Sequence, residues 1–203
     1  MTDKPIVYVI DDDTAIRRFL RSLITSVDLH VEVFDSAQSF LSEYVRGTTG
    51  CILLDIRMPG MSGLELQKEM TVRSISLPLI FLTGHGDVQI AVNAMKNGAF
   101  DFIEKPFKND LLLDSVQKAV ALGLSADISR AEKVTVDNLI SRLTVRERQV
   151  MNMVVDGDTN KAIAGKFKIS ERTVENHRAS MMKKMKARSL ADLVKMLMFV
   201  GSI

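Results

Sequence analysis

Short apolar runs that alternate with longer amphipathic segments constrain the fold of the first part of the chain more than any other feature. The continuous apolar runs at 6–10, 51–54 and 79–82 are typical of strands buried on both faces of a parallel sheet. Weaker strand candidates lie at 31–34 and 100–103. The amphipathic segments predict helices at about 14–26, 37–45, 63–71, 88–97 and 110–122. This alternation predicts an α/β fold, a doubly wound five-stranded parallel sheet of the flavodoxin-like type.

The pattern changes after residue 122, which divides the chain into a first domain at 1–122 and a second at 143–203. Residues 123–142 have mixed charge and weak periodicity, and they predict a linker that is possibly helical. In the second domain Thr144 and Glu147 form a capping-box pattern before the first of four predicted helices. The others span 160–167, 171–185 and 190–199. The short helix, the three-residue turn and the long helix predict a helix-turn-helix in a small all-α domain.

The net charge of +2 is unevenly distributed along the chain. Residues 1–121 carry 12 Lys and Arg against 16 Asp and Glu, whereas residues 144–203 carry 12 against 6. A basic second domain is a candidate for nucleic-acid binding. The single cysteine, Cys51, cannot form an internal disulfide, and no apolar stretch is long enough to cross a bilayer. We therefore expect a cytoplasmic protein that does not bind membranes.

Polar residues follow four of the predicted strands at the point where each strand ends. They are Asp11, Asp12, Asp13, Asp55, Thr83 and Lys105. Because ligands of doubly wound sheets bind at the carboxyl ends of the strands, we expect these side chains to converge. Asp11 and Asp12 could hold Mg²⁺ (or Mn²⁺) together with Asp55. The alternative is a solvated helix start in which Asp13 is the N-cap.

The order of these residues resembles the CheY-like receiver domain of bacterial two-component response regulators, over about residues 5–121. The local string from Asp55 through Met58-Pro59 to Gly63 resembles the same family. The resemblance implies that Asp55 is the phosphoacceptor. It also implies that the metal is bound by Asp11, Asp12, Asp55 and the Arg57 carbonyl, that Lys105 contacts the phosphate, and that the Lys105–Pro106 bond is cis.

Two further residues take roles from the resemblance. Thr83 would be the switch hydroxyl, and Phe102 would be the aromatic that moves inward when Thr83 turns toward the phosphate. The alternative for Phe102 is a core residue of the fifth strand. His85, in the string from Thr83 to Asp87 that resembles the FixJ branch, is interpreted as a loop residue and not a phosphodonor.

The second helix of the predicted helix-turn-helix has two faces. At about 100° per residue, Val174, Arg178, Met181 and Met185 lie on one side, which predicts the core face. Arg172, Asn176, Ala179 and Lys183 lie on the opposite side. Such an exposed face enters the major groove in helix-turn-helix proteins, although a solvated basic face is the alternative.

The strings around Thr144, Asn160 and Arg172 resemble the LuxR/FixJ-type DNA-binding domain, over about residues 140–200. The resemblance implies promoter DNA and RNA polymerase as partners. The candidate DNA-binding residues are Lys161, Arg172, Thr173, Glu175, Asn176, His177, Ala179, Lys183 and Lys184. Glu175 and Asn176 replace the Lys-Val pair that is common in this family. Asn176 could bind adenine and Glu175 could accept from cytosine, whereas the basic residues fit phosphates.

The leading hypothesis is a response regulator, not an enzyme, in which a sensor histidine kinase phosphorylates Asp55, the receiver forms a homodimer and DNA binding is switched. One alternative is a Mg²⁺-dependent phosphohydrolase of the haloacid dehalogenase type, which uses the same residue kinds in a different order along the chain. The other is an RNA-binding antiterminator. RNA readers usually carry aromatic stacking platforms, and the basic domain has only Phe167 and Phe199, both predicted to be core residues.

Overall fold

The computed structural model describes residues 4–84 and 88–200, and the side chains of all of these except 88, 199 and 200. The chain divides into two compact units, and the division falls between Asp127 and Ile128. Within the described ranges, no helix is both long enough and apolar enough to cross a lipid bilayer. Each unit has its own hydrophobic core, so each is considered separately.

The first unit contains one five-stranded parallel sheet. Its strands are β1 (Ile6–Ile10), β2 (His30–Phe34), β3 (Gly50–Asp55), β4 (Leu79–Thr83) and β5 (Asp101–Glu104). They lie in the order β2-β1-β3-β4-β5, and every neighbouring pair is parallel. The predicted doubly wound fold is therefore confirmed. The strand order reverses between β1 and β3, and that is the position where such sheets bind ligands.

Four helices cover the sheet together with the first half of a fifth. They are α1 (Thr14–Thr25), α2 (Ala37–Glu43), α3 (Gly63–Val72) and α4 (Val88–Lys96). Alternate residues of a strand point to opposite faces, so Tyr8 packs in one core and Val9 in the other. Residues of α2, α3 and α4 pack on the Tyr8 side, whereas those of α1 pack on the Val9 side. Both faces are thereby buried, as the uninterrupted apolar strands predict.

The fifth helix differs most from the prediction. The sequence pattern predicts a helix that ends near residue 122 and a linker at 123–142, but α5 runs from Asn109 to Ser141 without interruption. Its first half buries Leu112 and Val116 in the first unit, and its last turns bury Val136 and Leu139 in the second. No proline or glycine occurs between residues 124 and 156, so nothing in the local sequence ends the helix.

The second unit packs four further helices against the end of α5. They are α6 (Val145–Val155), α7 (Asn160–Phe167), α8 (Glu171–Met185) and α9 (Leu190–Val200). The predicted capping box is present: Thr144 Oγ1 accepts from the Glu147 N–H at 3.2 Å, and Glu147 accepts from the Thr144 N–H at 2.7 Å. The predicted all-α unit and its helix bounds are confirmed to within a residue or two.

Two helical glycines are expected to respond in opposite ways to substitution by alanine. A Cβ at Gly123 would lie 2.4 Å from the carbonyl oxygen of Gly50, whereas a Cβ at Gly165 would meet nothing within 4 Å. Gly123→Ala should therefore lower the melting temperature of the first unit. Gly165→Ala should stabilise the second unit by about 0.5–1 kcal/mol, because alanine has the higher helix propensity. Differential scanning calorimetry measures the melting temperatures of both variants. Equal shifts of the melting temperature in the same direction would contradict the close approach at Gly123.

Candidate functional site

Acidic and basic side chains meet at the carboxyl end of the central strands. Asp11 directly follows β1, Asp55 is the last residue of β3, and Lys105 directly follows β5. The Lys105 Nζ atom lies 2.7 Å from Asp11 Oδ2 and 2.7 Å from Asp55 Oδ1. The predicted convergence of these three residues is therefore observed, and one ammonium group bridges two carboxylates.

The main chain holds both carboxylates in place. The N–H of Asp13 donates to Asp11 Oδ1 at 2.9 Å, and the N–H of Arg57 donates to Asp55 Oδ2 at 2.9 Å. The Asp11 side chain is 2% exposed and that of Asp55 is 10% exposed. Asp55 is thus the more accessible of the two carboxylates, and its orientation is set by backbone groups.

Burial and ion pairing act against each other at this site. Burial raises the pKa of the Asp55 carboxyl, and the hydrogen bond from Lys105 opposes this rise. Burial works to lower the pKa of the Lys105 ammonium, but the hydrogen bonds to Asp11 and Asp55 outweigh it, so that this pKa is raised. Lys105 therefore remains a cation, which an anion-binding role requires.

The other predicted metal ligands do not all join this cluster. Asp12 is exposed, and Asp13 is the N-cap of α1, accepting from Ala15 N–H at 2.7 Å, as the alternative interpretation stated. Among the described residues, no group of three or more His, Cys, Asp or Glu side chains is arranged to hold a metal ion. Asp11 and Asp55 still supply hard oxygen donors, and one or two carboxylates suffice for a largely hydrated Mg²⁺. The oxygen donors of Asp11 and Asp55 therefore fit a magnesium site, and metal binding by Asp12 stays a prediction.

The predicted switch residues lie on neighbouring strands. Thr83 ends β4 and is 3% exposed, and its carbonyl oxygen accepts from the Lys105 N–H at 2.6 Å. Phe102 is partly buried on β5, with its ring centroid 6.5 Å from that of Phe81. It packs against the core, in agreement with the alternative role for this residue. The Lys105–Pro106 bond is cis, as the resemblance implies. His85 and Asp87 lie outside the described residues.

Two contacts that support this pocket were not predicted. The Arg17 guanidinium donates to the Asp11 carbonyl oxygen at 2.6 Å. Gly63 packs so closely that a Cβ there would lie 2.4 Å from the Asp55 carbonyl oxygen. A basic residue one turn into the helix after an acidic cluster could have indicated Arg17, whereas the close approach at Gly63 depends on tertiary packing.

The second unit presents a helix-turn-helix in α7 and α8. Lys168 ends α7 in the left-handed conformation, with φ 53° and ψ 47°, at the position where glycine is common in such turns. Ser170 caps α8 by accepting from the Thr173 N–H at 3.1 Å. Ile163 of α7 and Val174 of α8 are both fully buried. The predicted helix-turn-helix, with a short helix followed by a long one, is therefore observed.

The predicted faces of α8 are also observed. Val174, Met181 and Met185 are fully buried, and the Arg178 guanidinium donates to Asn160 Oδ1 at 2.8 Å. Most of the candidate DNA-binding residues are exposed: Lys161, Arg172, Glu175, Asn176, Ala179 and Lys183. The side chains of Thr173 and His177 are half-buried.

Lys184 makes a contact that the sequence did not predict, and its contact with DNA stays a prediction. Its ammonium lies 2.6 Å from Glu147 Oε2, where it forms an ion pair with a carboxylate on α6. Ser180 donates to the other oxygen of Glu147 at 2.6 Å. Lys184 thus links α8 to α6. Glu147 was predicted only as a helix cap, and its contacts with α8 come from residues 33 and 37 positions away.

Comparison with known proteins agrees with both units. The family described as response regulator receiver domain matches residues 7–117, and the family described as bacterial regulatory proteins, luxR family, matches residues 141–197. The transcriptional regulatory protein FixJ of Bradyrhizobium diazoefficiens is 43% identical over 203 residues, which cover 100% of this chain and 99% of that protein. The chain belongs to the FixJ family of response regulators.

Other relatives of this FixJ-family regulator also match over nearly the whole length. FixJ of Azorhizobium caulinodans is 48% identical, with 96% of this chain and 92% of that protein covered. The solved structure of the response regulator StyR is 43% identical with a TM-score of 0.87, and the match covers 96% of this chain and 98% of that chain. The regulator therefore has a receiver domain followed by a LuxR-type DNA-binding domain.

The pKa of Glu147 predicts how the DNA-binding domain responds to acid. Hydrogen bonds from Lys184, Ser180 and the Thr144 backbone lower this pKa from 4.5 to about 2. A carboxyl with a depressed pKa stabilises the folded state above pH 4.5, and the stabilisation is lost as the pH falls toward 2. Glu147→Gln should lower the free energy of unfolding at pH 7 by about 2–3 kcal/mol.

Urea unfolding of both proteins between pH 7 and pH 3 measures this difference in stability. The difference in the free energy of unfolding between the wild type and Glu147→Gln should become smaller as the pH falls below 4.5. Glu175→Gln, at an exposed position of α8, is the matched control and should leave the stability nearly unchanged. A difference in stability that stays constant with pH would contradict the lowered pKa of Glu147 in the folded state.

Proposed function

We propose that Asp55 accepts a phosphoryl group from a sensor histidine kinase and that this modification switches binding of the second domain to promoter DNA. The observation that carries the proposal is the Lys105 ammonium, 2.7 Å from both Asp11 and Asp55 at the point where the strand order reverses. Membership of the FixJ family supports the same role. In this proposal the regulator is a phosphoacceptor of the cytoplasm and not a turnover enzyme.

The geometry favours Asp55 over Asp11 as the nucleophile. The Asp55 side chain is 10% exposed against 2% for Asp11, so an incoming phosphoryl group can reach it more readily. A carboxylate oxygen of Asp55 would attack the phosphorus of a phosphohistidine, forming a P–O bond while the P–N bond breaks and the imidazole leaves. Lys105 is placed to stabilise the charge on the phosphoryl oxygens.

Phosphorylation adds negative charge to a site that already has an excess of it. Two carboxylates share one ammonium, and an acyl phosphate carries one more negative charge than the carboxylate that it replaces. A divalent cation would offset this charge, and Mg²⁺ would supply Lewis-acid stabilisation of the phosphoryl oxygens. Asp11, Asp55, the Arg57 carbonyl and, after reorientation, Asp12 are the oxygen donors available to hold it.

In this proposal a conformational change would pass from the phosphoacceptor pocket toward α4 and β5. Thr83 ends the strand next to Lys105, so a rotation of its hydroxyl toward a phosphoryl group would alter the packing around Phe102. Val92 and Met95 of α4 are each 45% exposed, which gives this face apolar surface for a homodimer. Dimerisation would favour paired half-sites on DNA and recruitment of RNA polymerase to the promoter.

Asp55→Asn tests the phosphoacceptor. It removes the nucleophilic carboxylate, so the variant should not be labelled by acetyl phosphate and its affinity for selected DNA should not change with phosphodonor. The wild type should bind that DNA at least about fivefold more tightly after phosphorylation. Asp28→Asn, after α1 at the opposite edge of the sheet, is the control and should behave as the wild type. Activation of the Asp55→Asn variant by phosphodonor would contradict the proposal.

The same labelling experiment distinguishes the alternatives. A receiver incorporates at most about one phosphoryl group per chain, whereas a phosphohydrolase turns over phosphate esters steadily in the presence of Mg²⁺.

Competition between duplex DNA and RNA for the second domain shows which nucleic acid this domain prefers. Preference for RNA would contradict the proposed DNA binding.

Two substitutions on α8 should separate base contacts from phosphate contacts. Asn176→Ala should weaken binding to the selected site by about 1–3 kcal/mol and relax specificity at one base pair. Lys183→Ala should weaken binding to all sequences and reduce the slope of log K against log salt by about 1. Lys195→Ala, which removes an exposed charge from α9, is the control. Fluorescence anisotropy over a salt series measures these effects, and identical behaviour of all three variants would argue against α8 as the recognition helix.

A further inference from the structure

The Arg17 side chain folds back from α1 onto the loop that precedes this helix. Its Nη1 atom donates to the carbonyl oxygen of Asp11 at 2.6 Å, and its Nη2 atom donates to Thr14 Oγ1 at 2.9 Å. Arg17 is half-buried. A guanidinium group is planar and rigid, so its two nitrogen atoms hold the residue after β1 and the first residue of α1 at a fixed separation.

These hydrogen bonds bear on Asp12, the predicted metal ligand that lies on the surface. The carbonyl group of Asp11 and the N–H group of Asp12 belong to the same planar peptide. The residues on either side have their own restraints: the Asp13 N–H donates to Asp11 Oδ1 at 2.9 Å, and Asp13 accepts from the Ala15 N–H at 2.7 Å. The bond from Arg17 to the Asp11 carbonyl oxygen therefore fixes the peptide plane from which Asp12 leaves the turn.

The charge of Arg17 and the geometry of its hydrogen bonds should affect metal binding in opposite directions. A positive charge beside the carboxylates of Asp11, Asp12 and Asp55 repels a divalent cation, so charge alone would weaken metal binding. A guanidinium that restrains the turn would strengthen metal binding, because less conformational freedom is lost when the ligands close on the cation. The sign of the effect therefore distinguishes the two roles.

We infer that Arg17 is a positioning residue, which fixes the peptide between Asp11 and Asp12 and so places the Asp12 carboxylate within reach of a bound divalent cation. This inference rests on the proposed function, in which a metal offsets the charge of the phosphoryl group on Asp55. Arg17 acts through Asp12 and is not itself a ligand, because a guanidinium has no lone pair for a cation. Groups that orient metal ligands typically contribute a factor of about 10–100 in metal affinity.

Binding of Mn²⁺ to the full-length, unphosphorylated protein tests the inference, with free Mn²⁺ measured by electron paramagnetic resonance. Arg17→Met removes both donors and should weaken Mn²⁺ binding about tenfold. Arg17→Lys keeps the charge, but an ammonium group cannot reproduce the planar contact of two nitrogen atoms, so it should also weaken binding. Arg18→Met, at the neighbouring exposed position of α1, is the matched control for the lost charge and should bind Mn²⁺ at least as tightly as the wild type.

Asp12→Asn separates a positioning role from a general loss of stability. This substitution should itself weaken Mn²⁺ binding, and adding Arg17→Met to it should have little further effect, because Arg17 acts through Asp12. A residue that merely stabilised the fold would weaken binding by the same factor in both backgrounds. Calorimetry establishes that each variant is folded during the titration, and Arg17→Lys keeps the inference testable if Arg17→Met is not.

Three results would overturn the inference. They are Mn²⁺ binding in Arg17→Met and Arg17→Lys that equals or exceeds that of the wild type, an equal loss of affinity in Arg18→Met and Arg17→Met, and additive effects of Arg17→Met and Asp12→Asn. None of these results would affect the labelling of Asp55, which is measured separately. A wild type that bound no Mn²⁺ would overturn both the inference and the part of the metal in the proposed function.

Discussion

The ammonium group of Lys105, shared by two buried carboxylates, is the interaction on which the receiver depends. Without a cation, the carboxylates of Asp11 and Asp55 would repel each other at one end of the sheet, and burial would favour the neutral form of Asp55. The ammonium can bridge them because Asp11, Asp55 and Lys105 all lie at the carboxyl end of the sheet. The backbone N–H of Lys105 donates to the carbonyl oxygen of Thr83 at 2.6 Å. The charge balance of the pocket and the positions of β4 and β5 are therefore physically coupled.

The parts of this arrangement that follow from strand periodicity could be predicted from the sequence. In a parallel sheet, residues that follow successive strands arrive at one edge, so the convergence of Asp11, Asp55 and Lys105 requires only the correct strand assignment. The exposed and buried faces of α8 follow from helical periodicity in the same way. In both cases the periodicity of a strand or a helix determines the side on which each side chain lies. These two predictions needed no further information.

The sequence was less informative where distant residues or competing local preferences decide the structure. Glu147 and Lys184 are 37 residues apart, and their ion pair depends on how α6 crosses α8, which no local pattern encodes. The segment at 123–142 has little amphipathic pattern because much of it is exposed, yet it is helical because nothing in it breaks a helix. Asp12 could not be distinguished from its acidic neighbours by residue type alone.

The loop that follows Asp55 combines a fixed backbone with exposed side chains. Its conformation is closed by main-chain contacts: the Arg57 N–H binds the Asp55 carboxylate, the Gly63 N–H binds the Ile56 carbonyl oxygen, and the lack of a side chain at Gly63 lets α3 approach. The hydrogen bond at position 57 comes from the backbone N–H, so most residue types could provide it. The side chains of Arg57 and Pro59 are exposed. The orientation of the Asp55 carboxylate thus depends on backbone groups of this loop, so the exposed side chains of Arg57 and Pro59 can vary without disturbing it.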